Sequence, residues 1–215
     1  MSDAVKSRRR YDRTGRQEQA RRNRWAVLEA ARRLFLERGY AATTVAAIAA
    51  EAGVSAETVY KAFGNKPGLV KAVFDVAIAG DDEPVPLVER EMVRRIEEAT
   101  DPRQKLAIYG EHLAATLPRH VPVQLVVRAA AASDGGAAQV WAELQAERLR
   151  GMDLFAAHLA ASGCLRAGVS QGEARDVLWA HTSTELYELL VLARGWDVDR
   201  YALWVVAQLE AALLA

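Results

Sequence analysis

The chain has 215 residues, 51% of them hydrophobic and 26% charged, and its basic and acidic side chains balance to a net charge of zero. This is a globular composition with room for a small domain and a larger one, each with its own core. No apolar run reaches the ~18 residues of a spanning helix, and the arginine-rich N-terminus has no apolar stretch of the kind a secretory leader needs, so a cytoplasmic protein without membrane association is expected.

The charge is unevenly spread. Residues 1–79 hold 15 Lys and Arg against 8 Asp and Glu, and the remainder holds 13 against 20. A basic head on an acidic body directs the first third towards a polyanion. A solubilising tail would give the same balance, because nine of the basic residues precede Trp25. The single cysteine, Cys164, has neither a disulfide partner nor neighbours at metal-ligand spacing, which fits a reducing compartment and no metal.

In chain order, residues 1–17 are polar and basic without apolar periodicity, and a flexible arm is expected there. Val27, Leu28, Ala31, Leu34 and Phe35 recur at helical spacing between Glu18 and Arg38, with Gly39 as the stop. Thr43 or Thr44 caps a second helix from Val45 to Ala52, and Gly53 ends it. Ser55 caps a third, closed by Gly64, and Asn65 caps a fourth that tolerates Pro67 in its first turn. A head over residues 18–79 results. The charged, proline-bearing stretch from Gly80 to Pro86 marks a boundary to a body over 80–215.

The body also reads as helical. Asp101-Pro102 opens a helix, and Pro118 or Pro122 interrupts the region after it. Gly135-Gly136 precedes a helix to about Ala161, and Ser170 with Glu173 at capping-box spacing launches a long helix to Arg194. Asp197 caps the last one. With no strand alternation or repeat, the fold class is all-α.

The stretch AAEAGVSAETVYKAFGNKPGLV, from Ala49 to Val70, places two short helices on either side of a glycine turn. Ala46, Ala49 and Ala52 allow a close crossing, while Ile48, Val54, Val59 and Phe63 supply the apolar side. The third helix is ~10 Å long and fits a major groove ~12 Å wide. With Val59 and Phe63 inward, Ser55, Ala56, Glu57, Thr58, Tyr60 and Lys61 are left outside, a set suited to base edges and phosphates. A plain helical hairpin with a polar face would share the spacing.

The segment from Leu28 to Asp75 resembles the DNA-binding domain of the TetR family of bacterial transcriptional repressors. It does so through the glycine-tyrosine pair ending helix 1, the paired threonines Thr43 and Thr44, AGVS-x-x-TVY-x-x-F, and the lysine opening helix 4. The resemblance implies a helix-turn-helix head joined by helix 4 to a larger helical domain that dimerises and binds a small ligand. It implies phosphate contacts at Thr44, Tyr60 and Lys66, a DNA contact at the neighbouring Thr43, and base reading by the outer face of helix 3. Glu57 can accept from a cytosine amino group or complement the helix dipole, and Lys61 suits a guanine or a phosphate. The arm can follow a minor groove or serve only solubility.

The last two expected helices are apolar almost all round, so each needs cover on two sides. Leu186, Leu189, Leu190, Tyr201, Trp204, Val205 and Leu209 therefore mark a dimer interface, unless one subunit buries them all. Tyr109, His112, Arg128, Trp141, His158, Trp179, His181 and Glu185 are polar or aromatic residues able to line a ligand pocket. None of the four histidines falls in a metal-hydrolase or nucleophile-base spacing, and there is no glycine-rich phosphate loop. The expectation is a non-enzymatic regulator without cofactors. It would be a homodimeric repressor on a double-stranded palindromic DNA operator, released by a small-molecule effector. A helical interaction module, or an activator of the same fold, is the alternative.

Overall fold

The computed structural model describes residues 2–83, 85 and 89–215, and the side chains of residues 1–14 lie outside that description. Among the described residues there are ten α-helices and no strand, only an isolated bridge between Leu165 and Leu214. None of these helices is long and apolar enough to cross a membrane.

Helix α1 (Ser2–Ala42) is a helical run broken at Gly39, whose φ of 77° and ψ of 171° turn the chain where a stop was expected. Residues 2–17, expected as a flexible arm, lie within α1 as helix, and the side chains up to residue 14 fall outside the description. Helices α2 (Val45–Glu51), α3 (Ala56–Phe63) and α4 (Lys66–Ala79) follow. Each starts on the side-chain cap that its sequence offers: Thr44 accepts from Ala47 N–H, Ser55 from Thr58 N–H and Asn65 from Gly68 N–H. Gly53 has the positive φ, 67°, that the turn between α2 and α3 requires.

The body comprises α5 (Glu91–Glu98), α6 (Pro102–Ala131), α7 (Gly135–Ala161), α8 (Gln171–His181), α9 (Thr184–Tyr187) and α10 (Val198–Leu213), with a π-helical turn over Glu188–Ala193. Two expectations are corrected here. Pro118 and Pro122 lie inside one continuous helix, α6. Pro118 is exposed and Pro122 half-buried, so the missing N–H bonds fall towards the outer side of the helix. The helix from Ser170 does not reach Arg194, because Thr182-Ser183-Thr184 offers the backbone competing partners. Thr182 Oγ1 donates to Leu178 O at 2.9 Å, Ser183 recaps the chain at Leu186 N–H, and Thr184 Oγ1 donates to Gln124 Oε1 at 2.7 Å.

Two apolar cores form. The lower one joins α1–α4 to the C-terminal half of α6 and the start of α7 through Val123, Val127, Ala137, Val140 and Leu144. The head therefore shares its core with the body. Of the alanines expected at the helix crossing, Ala49 is buried but Ala46 is exposed, because it lies off the side of α2 that carries Val45, Ile48 and Ala49. The upper core packs α6, α7, α8 and α10 around Leu106, Leu117, Leu159, Leu178, Val205 and Leu213.

That upper core corrects part of the expected dimer set. Tyr201, Val205 and Leu209 are buried within the subunit, on the side of α10 that faces α6 and α8. On α10 and the π-helical turn the apolar residues left most exposed are Leu189 (59%), Leu192 (54%) and Leu203 (71%), near in sequence to the edge-to-face pair Trp196 and Trp204 and the half-buried Leu186 and Leu190; Leu154 of α7 is also exposed.

Candidate nucleic-acid interface and regulatory cavity

Of the nine residues expected to meet DNA, the structure divides the set by what each side chain already does. Tyr60 is 51% exposed, and Tyr60, Glu57 and Lys61 make no hydrogen bond or ion pair within the described residues. Ala56 stands beside them, half-buried, with Val59 anchoring α3 from below. Ser55 Oγ lies 2.8 Å from Thr58 Oγ1 and accepts from Thr58 N–H, so these two hydroxyls hold the start of α3 as well as edging its outer face. Thr44 is exposed at the cap of α2.

Two members have other occupations. Thr43 is fully buried, and its hydroxyl shares its one proton between Gly39 O at 2.7 Å and Leu34 O at 3.0 Å, both beside the Gly39 kink. It leaves the DNA-facing set. Lys66 Nζ donates to Tyr40 O at 2.9 Å and Thr43 O at 3.2 Å and sits 4.0 Å from the centre of the Tyr40 ring. Its charge clamps the end of α1 to the start of α4. Thr43→Val is expected to cost about 1–3 kcal/mol of stability by orphaning buried carbonyls, seen as a lower Tm, whereas Tyr60→Phe should leave Tm unchanged.

The basic character of α1 is also partly spent internally. Arg24 pairs with Asp82 at 2.7 Å and lies 4.5 Å over the Phe63 ring, and Arg21 pairs with Glu83. These contacts fasten α1 to the segment after α4.

A cavity of about 1620 Å³ lies between α4, α5, α6, α7 and the α8–α9 break. Three residues expected in a pocket, Tyr109, His112 and His158, line it. The other five do not. Arg128 pairs with Glu188 at 2.6 Å and with Glu185 at 3.3 Å, outside the cavity. Trp141 packs on the lower core, Trp179 lies beneath the Arg148 guanidinium, and His181 Nδ1 is 2.8 Å from Val177 O on its own helix. Each faces away from the cavity because its helix turns another side inward.

Sequence reasoning missed Thr116, His120, Gln124 and Arg148. A signal was present for three of them: His112, Thr116, His120 and Gln124 recur every four residues, a polar stripe along an otherwise apolar helix. His120 Nδ1 pairs with Thr116 O at 2.9 Å, and its ring meets Phe74 of α4 edge-on at 5.6 Å. Lys105 Nζ, buried, donates to Ile96 O at 2.7 Å and lies 2.7 Å from His158 Nε2.

Burial, with the Arg119 guanidinium adding to it, pushes the His112 imidazole down to about 4, and burial likewise takes His120 to about 4. Both rings are neutral at pH 7. Because the folded values lie below the ordinary 6.5, unfolded chains bind more protons as pH falls through 6.5, and stability is lost progressively down to about pH 4. Tm is expected to fall between pH 7 and pH 5, by about 2 kcal/mol of stability per ring, and His120→Phe should flatten the profile when it is followed by circular dichroism.

The cavity reaches the head through α4. Phe74, Asp75 and Ile78 line it, Arg119 of α6 donates to Ala77 O of α4 at 3.1 Å, and Lys71 bridges Asp75 at 2.6 Å and Glu147 of α7 at 3.2 Å. Gly136 of α7 meets Pro67 of α4 so closely that an added Cβ would stand 2.5 Å from the proline Cγ. Among the described residues no group of three or more His, Cys, Asp or Glu side chains could hold a metal ion.

Comparison with known proteins bears on this geometry. Residues 27–73 match the model for bacterial regulatory proteins of the tetR family. The HTH-type transcriptional regulator TtgR of Pseudomonas putida is 47% identical over 58 residues, 27% of this chain and 28% of that protein. The HTH-type transcriptional repressor Rv3405c of Mycobacterium tuberculosis is 39% identical over 87 residues, 38% and 44% respectively. These matches thus span less than half the length of the curated relatives. In fold, the chain is similar to NalD of Pseudomonas aeruginosa, the secondary repressor of the MexAB-OprM multidrug efflux pump. The TM-score is 0.71 with 20% identity, over 91% of this chain and 98% of that one.

Proposed function

We propose, from the match of residues 27–73 to the tetR family of bacterial regulatory proteins, that this chain is a cytoplasmic repressor binding a palindromic operator as a homodimer and leaving it when a small molecule fills the body. The observation that carries this reading is a free polar face on α3, held by a core that continues into the walls of a 1620 Å³ cavity. Glu57, Tyr60 and Lys61 meet the duplex, with Thr44, Ser55, Ala56 and Thr58 at the edge of the contact. Lys66 and Thr43 set the angle between α1, α2 and α4.

The uncovered Leu189, Leu192 and Leu203 supply the dimer face, and two-fold pairing through it demands half-sites about one DNA turn, ~34 Å, apart. Ligand acts through α4, whose cavity-lining side continues into the Lys66 clamp. It can shift the heads only by its preference for one arrangement over the other.

The test is selection of bound duplexes from a random pool by the full chain at 150 mM salt. A palindromic winner is expected, and sequence-blind, salt-sensitive binding would favour the interaction-module reading. On the selected site, Tyr60→Ala should weaken binding about tenfold, ~1.4 kcal/mol, with an unchanged Tm because the ring is exposed. Lys61→Ala should change the selected sequence or lower the salt slope by about one unit. Identical sites and slopes for parent and variant would remove Lys61 from the contact.

A further inference from the structure

We propose that the body cavity takes a lipophilic anion, an acid group on an apolar frame, with the acid seated by Arg148 beside Tyr109 and Gln124. This rests on reading the cavity as the effector site. The walls set the first half of the description: Phe74, Leu113, Leu117, Met152 and Phe155 line the space, so a ligand must bring apolar surface to cover them.

The charges set the second half. Most carboxylates lining the cavity already have a cation: Asp81 pairs with Arg90, Asp82 with Arg24, Glu83 with Arg21, and Asp75 and Glu147 share Lys71. Glu97 and Arg150 are exposed. Arg148 is different. It is half-buried, and no carboxylate lies within ion-pair distance among the described residues. Its Nη1 donates to Trp179 O and, at 3.3 Å, to Thr182 Oγ1, and its Nη2 donates to Gln145 Oε1 at 3.2 Å. All three acceptors are neutral, and its Nε is buried with no partner. Burial pushes this guanidinium below its ordinary range, and the attraction of the more distant Glu185 carboxylate does not offset it.

The neighbouring groups are donors too. The Tyr109 hydroxyl is buried, donates to the Met152 thioether at 3.6 Å, a weak acceptor, and has the Thr182 hydroxyl as its other neighbour. Thr184 occupies Gln124 Oε1, which leaves the Gln124 amide N–H groups for the cavity. A site rich in donors and poor in acceptors matches a carboxylate or a similar oxyanion. A lipophilic amine would instead use the exposed Glu97, which lies in water, or the surplus carboxylate at Lys71. There Asp75 and Glu147 are 51% and 37% exposed, so water and salt screen the attraction.

The experiment is isothermal titration of the full chain with decanoate, decanol and decylammonium, each below its micellar concentration, repeated on Arg148→Met and Tyr109→Phe with folding checked by circular dichroism. Decanoate is expected to bind at least about tenfold more tightly than decanol, with decylammonium weakest. Arg148→Met should erase the preference for the acid while decanol binding stays unchanged. Decylammonium binding as tightly as decanoate, no binding of any of the three, or a decanoate preference intact in folded Arg148→Met would each overturn the proposal. Should Arg148→Met not fold, the wild-type series and a loss of at least about threefold in Tyr109→Phe decide the matter. Operator release is measured separately. Decanoate that binds without releasing DNA would refute the effector reading and leave the ligand class standing, and release by an amine would do the reverse.

Discussion

Leu203→Glu is expected to yield a folded monomer that no longer holds a palindromic duplex. Leu203 is 71% exposed in the subunit, so a carboxylate there costs little in the isolated chain. In a two-fold dimer built on Leu189, Leu192 and Leu203, the same change buries a charge from each copy near its symmetry mate. Each unpaired buried charge costs several kcal/mol, about 100-fold or more in dimer affinity per copy. Analytical ultracentrifugation at micromolar concentration should show monomer mass with a native circular dichroism spectrum. A dimer mass equal to the parent's would sink the interface. Leu209→Glu provides the contrast: Leu209 is fully buried against the upper core, so that variant should lose its fold rather than its partner.

Gly68→Ala is expected to be the most damaging methyl group in the head. Gly68 sits in the first turn of α4, where an added Cβ would run into the carbonyl oxygen of Phe63, far inside van der Waals contact, and would crowd Asn65 Oδ1 at 3.3 Å. The clash is with backbone, so no side-chain rotation relieves it. The turn between α3 and α4 must open, at a cost of about 3 kcal/mol. A fall in Tm of about 10 °C follows for a chain of this size. DNA affinity should fall with it, because the Asn65 cap and the Lys66 clamp both depend on that turn. Gly135→Ala is the control, since a Cβ at Gly135 meets nothing within 4 Å and the position is helical. A Tm for Gly68→Ala within 1–2 °C of the Gly135→Ala value would contradict the rigidity assigned to this turn.

The α2–α3–α4 head was legible because its information is local. Thr44, Ser55 and Asn65 cap the helices beginning one residue later, and Gly53 supplies the one left-handed turn between α2 and α3. The outward set of α3 followed from the same local counting, since fixing Val59 inward leaves Glu57, Tyr60 and Lys61 outside. The body was less legible. Its helices are apolar on several sides, so periodicity cannot say which side meets the cavity, which meets a neighbour in the same chain and which stays bare. Tyr201 and Leu203 stand two residues apart on α10, one 1% and the other 71% exposed, with similar apolar surroundings in sequence.

By itself, then, the sequence determined the all-helical class, the starts of α2, α3 and α4 and the polar face of α3, because caps, glycine turns and 3.6-residue periodicity act over a few residues. Tertiary structure alone decided the rest. It turned Thr43 and Lys66 inward onto backbone carbonyls, and it carried Pro118 and Pro122 through one unbroken helix. It also gathered Tyr109, His120, Gln124, Arg148 and Thr182 from separate helices around one cavity. Those outcomes depend on which helix faces pack together, and that is settled by burial and hydrogen bonding between residues distant in the chain.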